Sequence, residues 1–416
     1  MNPLRKALLI VCSALLATVL LGAILPLANP LTQGISRLPQ PYYGVAIVKG
    51  TDGACGLDFA QLYFPARAWL HGENPYRPES PQFRDPAGRV AGYSPFSLLI
   101  SAPASSLGFR GALIAHLLLQ LALFAIVAGA FLRCVGLGTL LWPFLGVCLL
   151  LLLLTPAGLS FLERGQCDLF VAASFTLLFY ALWASSPRAA AAAGLASGVV
   201  AGMKWTALPL LGAVSGVACV LQRRWWALAV LAGFGVTLLA MPSFLAEFAG
   251  IMRYWESQPP DGISADRLWL LMGAPMGTSK LAFVAAGLAA GAAMLRLKPH
   301  PCTPDSFRAV FFPYALGLAV LALGVGSIVF EYRVVSLLGV AAPLLAWFEE
   351  TRANRRPVDA VIAWSFAGYL LLSLRAWPFH VIRPGFMAVV HLGCAVGFLV
   401  LAGIRHRSAY RSVTAR

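Results

Sequence analysis

The sequence predicts an all-α, polytopic integral membrane protein with about twelve transmembrane helices, roughly ten to thirteen. Three observations predict it. Only 11% of the 416 residues are charged, against about 25% in a soluble domain. Hydrophobic residues make up 59%, with a mean hydropathy of +0.78. Apolar stretches of about 20 residues recur along the whole chain, and they are continuous rather than alternating. Continuous runs exclude a β-barrel, and their abundance excludes a disordered or fibrous chain.

The elements follow in order. Met1 to Lys6 carries Arg5 and Lys6, and an apolar run extends from Ala7 to about residue 27. It is longer than a signal-peptide core and lacks a small-x-small cleavage site, so residues 1–28 read as an uncleaved anchor with the N-terminus in the cytoplasm. Residues 29–91 are the least hydrophobic part, with six basic and five acidic residues, and form a long first extracytoplasmic loop. Phe59, Leu62, Tyr63, Ala66 and Leu70 follow helical spacing, which predicts an amphipathic helix on the membrane surface. Tyr93 to Phe109 is short, and Pro95 and Pro103 interrupt it, so it reads either as a full span or as a re-entrant hairpin. Further apolar segments lie near 112–132, 138–160, 168–184, 189–203, 206–221, 225–242, 280–295, 309–329, 333–348, 357–374 and 385–404. The chain therefore divides as one membrane domain: anchor, outer loop, a bundle over 92–404, and a cytoplasmic tail from 405 to 416.

The net charge of +15 is read as topology rather than as a nucleic-acid footprint. Arg223-Arg224, Arg296 with Lys298, Arg352 with Arg355 and Arg356, and the basic tail mark the cytoplasmic side of the inner membrane. The acidic groups gather on the extracytoplasmic side, where chemistry is expected. The eight cysteines are scattered without a CxxC, so no metal cluster is expected, and a disulfide between Cys55 and Cys167 stays open.

Four places carry residue types suited to chemistry. Asp58 opens the Gly56-Leu57-Asp58-Phe59 stretch and reads either as a general base toward an acceptor hydroxyl or as a helix N-cap. Tyr63, Asn74 and Tyr76 accompany it in the same loop. Glu163-Arg164-Gly165-Gln166-Cys167-Asp168 packs charged and amide groups between two apolar segments, so these either line a wet cavity or close a salt-bridged interfacial loop. Lys204 falls on the outer side by the positive-inside argument and is either a phosphate-binding cation or a snorkelling anchor. Glu331-Tyr332-Arg333 lies in a short outer connection, where Arg333 suits a phosphate and a Glu331–Arg333 pair is the plainer reading. His380, in the Arg375–Arg383 loop, is a weaker substrate-binding candidate. P-loop, HExxH, GxSxG and dinucleotide signatures are lacking, which favours a lipid-borne donor over a bound nucleotide.

Taken together these motifs resemble the polytopic GT-C glycosyltransferases, and most closely family 87, the polyprenol-phosphate-mannose-dependent α-mannosyltransferases. Asp58-Phe59 with Tyr63, then Gly72-x-Asn74-Pro75-Tyr76, resemble the family's first external loop. Tyr93-x-Pro95, Glu163-Arg164-Gly165-Gln166-x-Asp168, Lys204 and Glu331-Tyr332-Arg333 resemble its later elements. Trp205, Cys167 and Asp168 depart from the usual pattern. The resemblance implies a GT-C-like fold without a cofactor, a polyprenyl-phosphate sugar donor, and a glycolipid or cell-envelope glycan acceptor among membrane lipids. It implies Asp58 as base, with Lys204, Arg333 and Arg164 on the donor phosphate. Tyr63, Asn74, Tyr76, Glu163, Gln166, Asp168, Glu331, Tyr332 and His380 would contact substrate. The competing readings are a transporter or lipid-linked-sugar flippase, which the many spans and intramembrane charges would also suit, and a non-catalytic scaffold.

Overall fold

The computed structural model describes residues 56–89, 91–222, 227–240, 242–257, 261–262, 278–295, 304–325, 328–329, 331–352, 357–374 and 384–414. The anchor, the outer loop as far as Cys55, and His380 lie outside the described residues.

The described chain is helical. Its helices are α1 (Leu57–Leu70), α2 (Pro95–Ser101), α3 (Gly108–Cys134), α4 (Leu141–Leu154), α5 (Pro156–Arg164), α6 (Asp168–Trp183), α7 (Pro187–Ala201) and α8 (Leu208–Gln222). They continue with α9 (Ala227–Leu238), α10 (Leu245–Ser257), α11 (Thr278–Leu295), α12 (Pro304–Leu323), α13 (Leu338–Glu350), α14 (Pro357–Ser373) and α15 (Pro384–Thr414). One two-residue parallel pairing joins Asp261–Gly262 to Ile328–Val329.

Most helices fall where the apolar stretches predict them, but three details differ. The segment expected over 138–160 breaks at Thr155–Pro156, and its halves meet at 80°. Pro156 lacks an amide hydrogen and starts a new helix, with the Thr155 hydroxyl accepting from the Gly158 amide at 3.1 Å. The 93–109 segment is not one continuous helix. Its α2 has seven residues and rises only about 10 Å, a third of the hydrocarbon thickness. From Pro103 the chain runs straight into the long α3.

The third difference is a correction. The expected amphipathic surface helix does form as α1, but its first ten residues are all buried. The aromatic rings of Phe59, Tyr63, Phe64 and Phe109 pack together at 5.0–6.0 Å between centroids. Burial all round the helix, polar Asp58 and Gln61 included, marks it as sunk into the protein. It therefore carries Asp58 into the interior instead of along a membrane surface.

By length and composition two helices can cross a membrane among the described residues, Pro103–Cys134 and Tyr332–Glu350, or up to four if each bent pair is one span. Six further apolar helices are shorter, so twelve crossings are not shown among the described residues. Leu118, Ile126, Trp142, Leu231, Leu239 and Leu288 stand exposed on the outer faces, as suits a membrane protein whose solvent there is lipid. Inside, α7 and α9 touch backbone to backbone. A Cβ on Gly198 would lie 2.0 Å from the Val230 carbonyl oxygen, and one on Gly233 2.1 Å from that of Leu195.

Candidate functional site

The site grows from α1 and α5. Gly56, with φ of 111°, holds the N-cap position of α1, so Asp58 does not cap the helix and its carboxylate is spent elsewhere. α5 ends at Arg164, and Gly165 turns the chain in the left-handed region with φ of 66°. The Gln166 amide hydrogen bonds back to the Phe161 carbonyl at 3.2 Å. That turn brings Arg164 and Gln166 to the same carboxylate. A Cβ at Gly165 would sit 2.6 Å from both Leu113 Cδ1 and Phe59 Cβ, so the residue must be glycine for conformation and for space.

Four donors converge on Asp58. Arg164 Nε reaches Oδ2 at 2.5 Å and its Nη2 reaches Oδ1 at 2.9 Å. Arg89 Nη1 reaches Oδ1 at 2.9 Å, and Gln166 Nε2 donates to Oδ2. An ionised carboxylate has about four acceptor positions, so this one is fully occupied. Its side chain is 8% exposed.

Gln166 extends the network. Its Oε1 accepts from Lys204 Nζ at 2.9 Å and from the Tyr93 hydroxyl at 3.3 Å. Lys204 also donates to Asp168 Oδ2 at 2.8 Å, and Asp168 is fully buried. The Tyr332 ring closes the cluster, with Lys204 Nζ 5.2 Å and Arg164 Cζ 5.7 Å from its centroid. Arg333 Nη1 donates to the Val325 carbonyl at 3.2 Å. Burial, reinforced by the nearby Cys167, Asp58, Tyr332 and Asp168, holds the Tyr93 phenol protonated well above its ordinary range, so it remains a donor.

Three of the four motif groups thus meet through their own side chains: Asp58, the Arg164–Gln166–Asp168 element, and Lys204. The fourth joins through the Tyr332 ring. Arg164 and Lys204 each pair with a carboxylate from a different motif. The other expected residues are placed apart. Asn74 donates to both oxygens of Glu247 at 3.0 Å, tying the loop after α1 to α10. Tyr76 donates to the Tyr93 carbonyl at 2.9 Å, and burial, with Glu247 nearby, raises its hydroxyl pKa far above the usual value. Tyr63 packs in the aromatic cluster and meets Arg67 Nη1 at 3.5 Å. Glu163 is half-buried, and its Oε1 has no hydrogen-bond partner among the described residues. Glu331 opens the 3-10 helix Glu331–Leu337. Cys167 is a buried free thiol 3.6 Å from His116 Nε2. No cluster of metal-ligating side chains occurs among the described residues.

Sequence reading missed Arg89, which is held by Asp85 at 2.7 Å, and Gln120, whose amide donates to the Gln166 carbonyl at 2.7 Å. A signal for Gln120 existed: His116 and Gln120 stand four apart on one face of an otherwise apolar helix, where polar groups need partners. Arg89 gave no signal beyond its i,i+4 spacing from Asp85 in a loop rich in charges.

An apolar groove of about 940 Å³ opens between α8 and α11. Leu208 and Pro209, just beyond Lys204, lie along it, as does Val325, whose carbonyl binds Arg333. Gly212, Gly216, Gly287 and Gly291 leave its floor free of side chains, and Lys280 stands at the first turn of α11.

The described residues thus form an all-helical, strongly apolar fold with a buried ion-pair cluster of Asp58, Arg164, Asp168 and Lys204. The model of glycosyltransferase family 87 matches residues 92–323, more than half of the chain, and the protein belongs to that family. It is a membrane glycosyltransferase. No curated protein and no solved structure matches the chain significantly.

Proposed function

We propose that the protein moves a sugar, mannose by the family resemblance, from a polyprenyl-phosphate donor to a glycolipid or cell-envelope glycan. The reaction takes place on the outer side of the cytoplasmic membrane. What supports this reading is the Asp58–Arg164–Gln166–Lys204 cluster together with an apolar groove whose lining begins at Leu208, four residues beyond Lys204, and includes Val325, whose carbonyl binds Arg333. A polyprenyl tail suits the groove, and Lys204, Arg164 and Arg333 are the cations offered to its phosphate.

The reaction is a single displacement. The acceptor oxygen attacks the anomeric carbon, the bond from that carbon to the phosphate oxygen breaks, and the phosphate leaves with the electron pair. Asp58 takes the hydroxyl proton. Cations in place before the reaction favour the charge that grows on the leaving phosphate. Because the Asp58 carboxylate is saturated with donors, one of them must withdraw before it can accept a proton. Phosphate oxygens offer Arg164 an alternative acceptor, so donor binding and exposure of the base are coupled in this scheme.

The test is incubation of purified protein in liposomes with radiolabelled polyprenyl-phosphate sugars and a membrane lipid extract, followed by mass spectrometry. A labelled glycolipid and released polyprenyl phosphate are expected. Failure to consume any of these donors overturns the reading.

A further inference from the structure

The geometry points to a sugar-ring subsite for the acceptor in a small cavity beneath the proline-rich loop that follows α1. This inference rests on the transfer reaction proposed above and adds the place where the acceptor sugar lies. The cavity has a volume of about 160 Å³ and is separate from the apolar groove. That is room for one hexose ring and too little for a lipid tail.

Its walls have the chemistry of carbohydrate recognition. Pro65, Pro75 and Pro78 give rigid apolar faces, and Tyr76 and Phe83 add aromatic ones. Gln61, Asp85 and Arg89 bring an amide, a carboxylate and a guanidinium. Of these, Asp85 and Arg89 bind one another at 2.7 Å, and Asp85 also caps the Ala87 amide at 3.0 Å. Gln61 differs from them. It is 8% exposed, lines the cavity and takes no part in the Asp85–Arg89 pair. An amide in the wall offers two donor hydrogens and an acceptor oxygen, which a ligand carrying both kinds of group can satisfy. A hydroxylated ring does so, whereas a hydrocarbon or a bare anion does not.

Position connects the cavity to the chemistry. Gln61 stands three residues after Asp58 on α1, hence on the same face of the helix. Arg89 is shared: it lines the cavity and donates to Asp58 Oδ1 at 2.9 Å. Lys204, over the Tyr332 ring, connects to the other carboxylate oxygen, through Gln166 on Oδ2. Displacement requires the attacking hydroxyl and the leaving phosphate on opposite sides of the anomeric carbon. A ring in this cavity presents its hydroxyl at Oδ1, in place of the Arg89 Nη1 donor, while the phosphate occupies the Lys204 side.

The test is saturation-transfer NMR on the full-length protein in nanodiscs, with methyl glycosides of mannose, glucose, galactose and arabinose as probes. Wild-type protein is expected to saturate the ring protons of at least one probe, and Gln61→Leu to reduce that signal at least five-fold. Gln61→Glu, which keeps the size of the side chain and removes the amide donors, is expected to reduce it as well. Unchanged signals in both variants, or no signal from any probe with wild type, overturn the subsite. Monodisperse elution and an unchanged melting temperature of at least one variant exclude misfolding as the cause of a loss. Donor consumption by the same preparation separates the two readings. Probe binding without donor consumption sinks the transfer reaction and keeps a sugar site, and donor consumption without probe binding does the reverse. A polyprenyl-phosphate sugar that displaces the probe from Asp58→Asn protein assigns the cavity to the donor's own sugar and overturns the acceptor assignment.

Discussion

Asp58 and Arg164, 106 residues apart in sequence, meet fork to fork: Nε lies 2.5 Å from Oδ2 and Nη2 lies 2.9 Å from Oδ1. Both are largely withdrawn from water, with side-chain exposures of 8% and 14%. A bidentate pair of this kind fixes the plane of the carboxylate as well as its charge. It orients the base and at the same time occupies it.

Asp58→Asn keeps the shape of the side chain and one acceptor oxygen but removes the base. General-base catalysis contributes about 10²–10⁴-fold, so transfer in a purified assay is expected to fall by at least 100-fold. Elution profile and helical circular dichroism should stay near wild type. Undiminished transfer removes Asp58 from the base role.

Lys204 and Asp168 form the second buried pair, with side-chain exposures of 12% and 0%. Lys204→Met leaves a buried carboxylate without its cation, at a cost of about 3–5 kcal/mol. Asp168→Asn in the same chain should restore much of that stability without restoring donor binding. Thermal unfolding of the two single variants and the double variant checks the first statement, and the donor KM checks the second.

Gly165→Ala places a side chain where φ is 66° and where Leu113 and Phe59 already stand. The left-handed conformation alone costs roughly 1–2 kcal/mol for a non-glycine residue. The melting temperature and the transfer rate should both drop, since the same turn aims Arg164 and Gln166. A variant with wild-type rate and stability contradicts this account of the turn.

Gly216 faces the apolar groove, and a Cβ there meets nothing within 4 Å. Gly216→Phe is therefore expected to fold normally and to fill the trough. If the groove takes the donor's tail, KM should rise at least ten-fold for a long-chain polyprenyl donor and stay unchanged for a short-chain analogue. Equal effects on both donors sink the groove assignment.

The helices were largely legible because apolar runs of spanning length leave little choice of element. The α8 and α11 segments, for example, begin within two residues of their expected starts. The Asp58, Arg164, Gln166, Asp168 and Lys204 positions were legible too, since ionisable groups between apolar runs stand out. What escaped was depth and pairing. The helical spacing of Phe59 and Leu62 fits a surface helix and a buried one equally, and only the packing of Phe109 against them decides. Arg89 escaped because its partner on Asp58 is 31 residues away, and no local pattern encodes that distance.

The Gln166 side chain has one polarity available to it. Its NH₂ faces a carboxylate and its oxygen faces an ammonium, so turning it over would set oxygen against oxygen and nitrogen against nitrogen. A neutral, unreactive group thereby enforces a sign at each end. Whatever proton or ligand alters the charge at Asp58 also alters the hold on Lys204, and the two halves of the centre cannot be retuned independently.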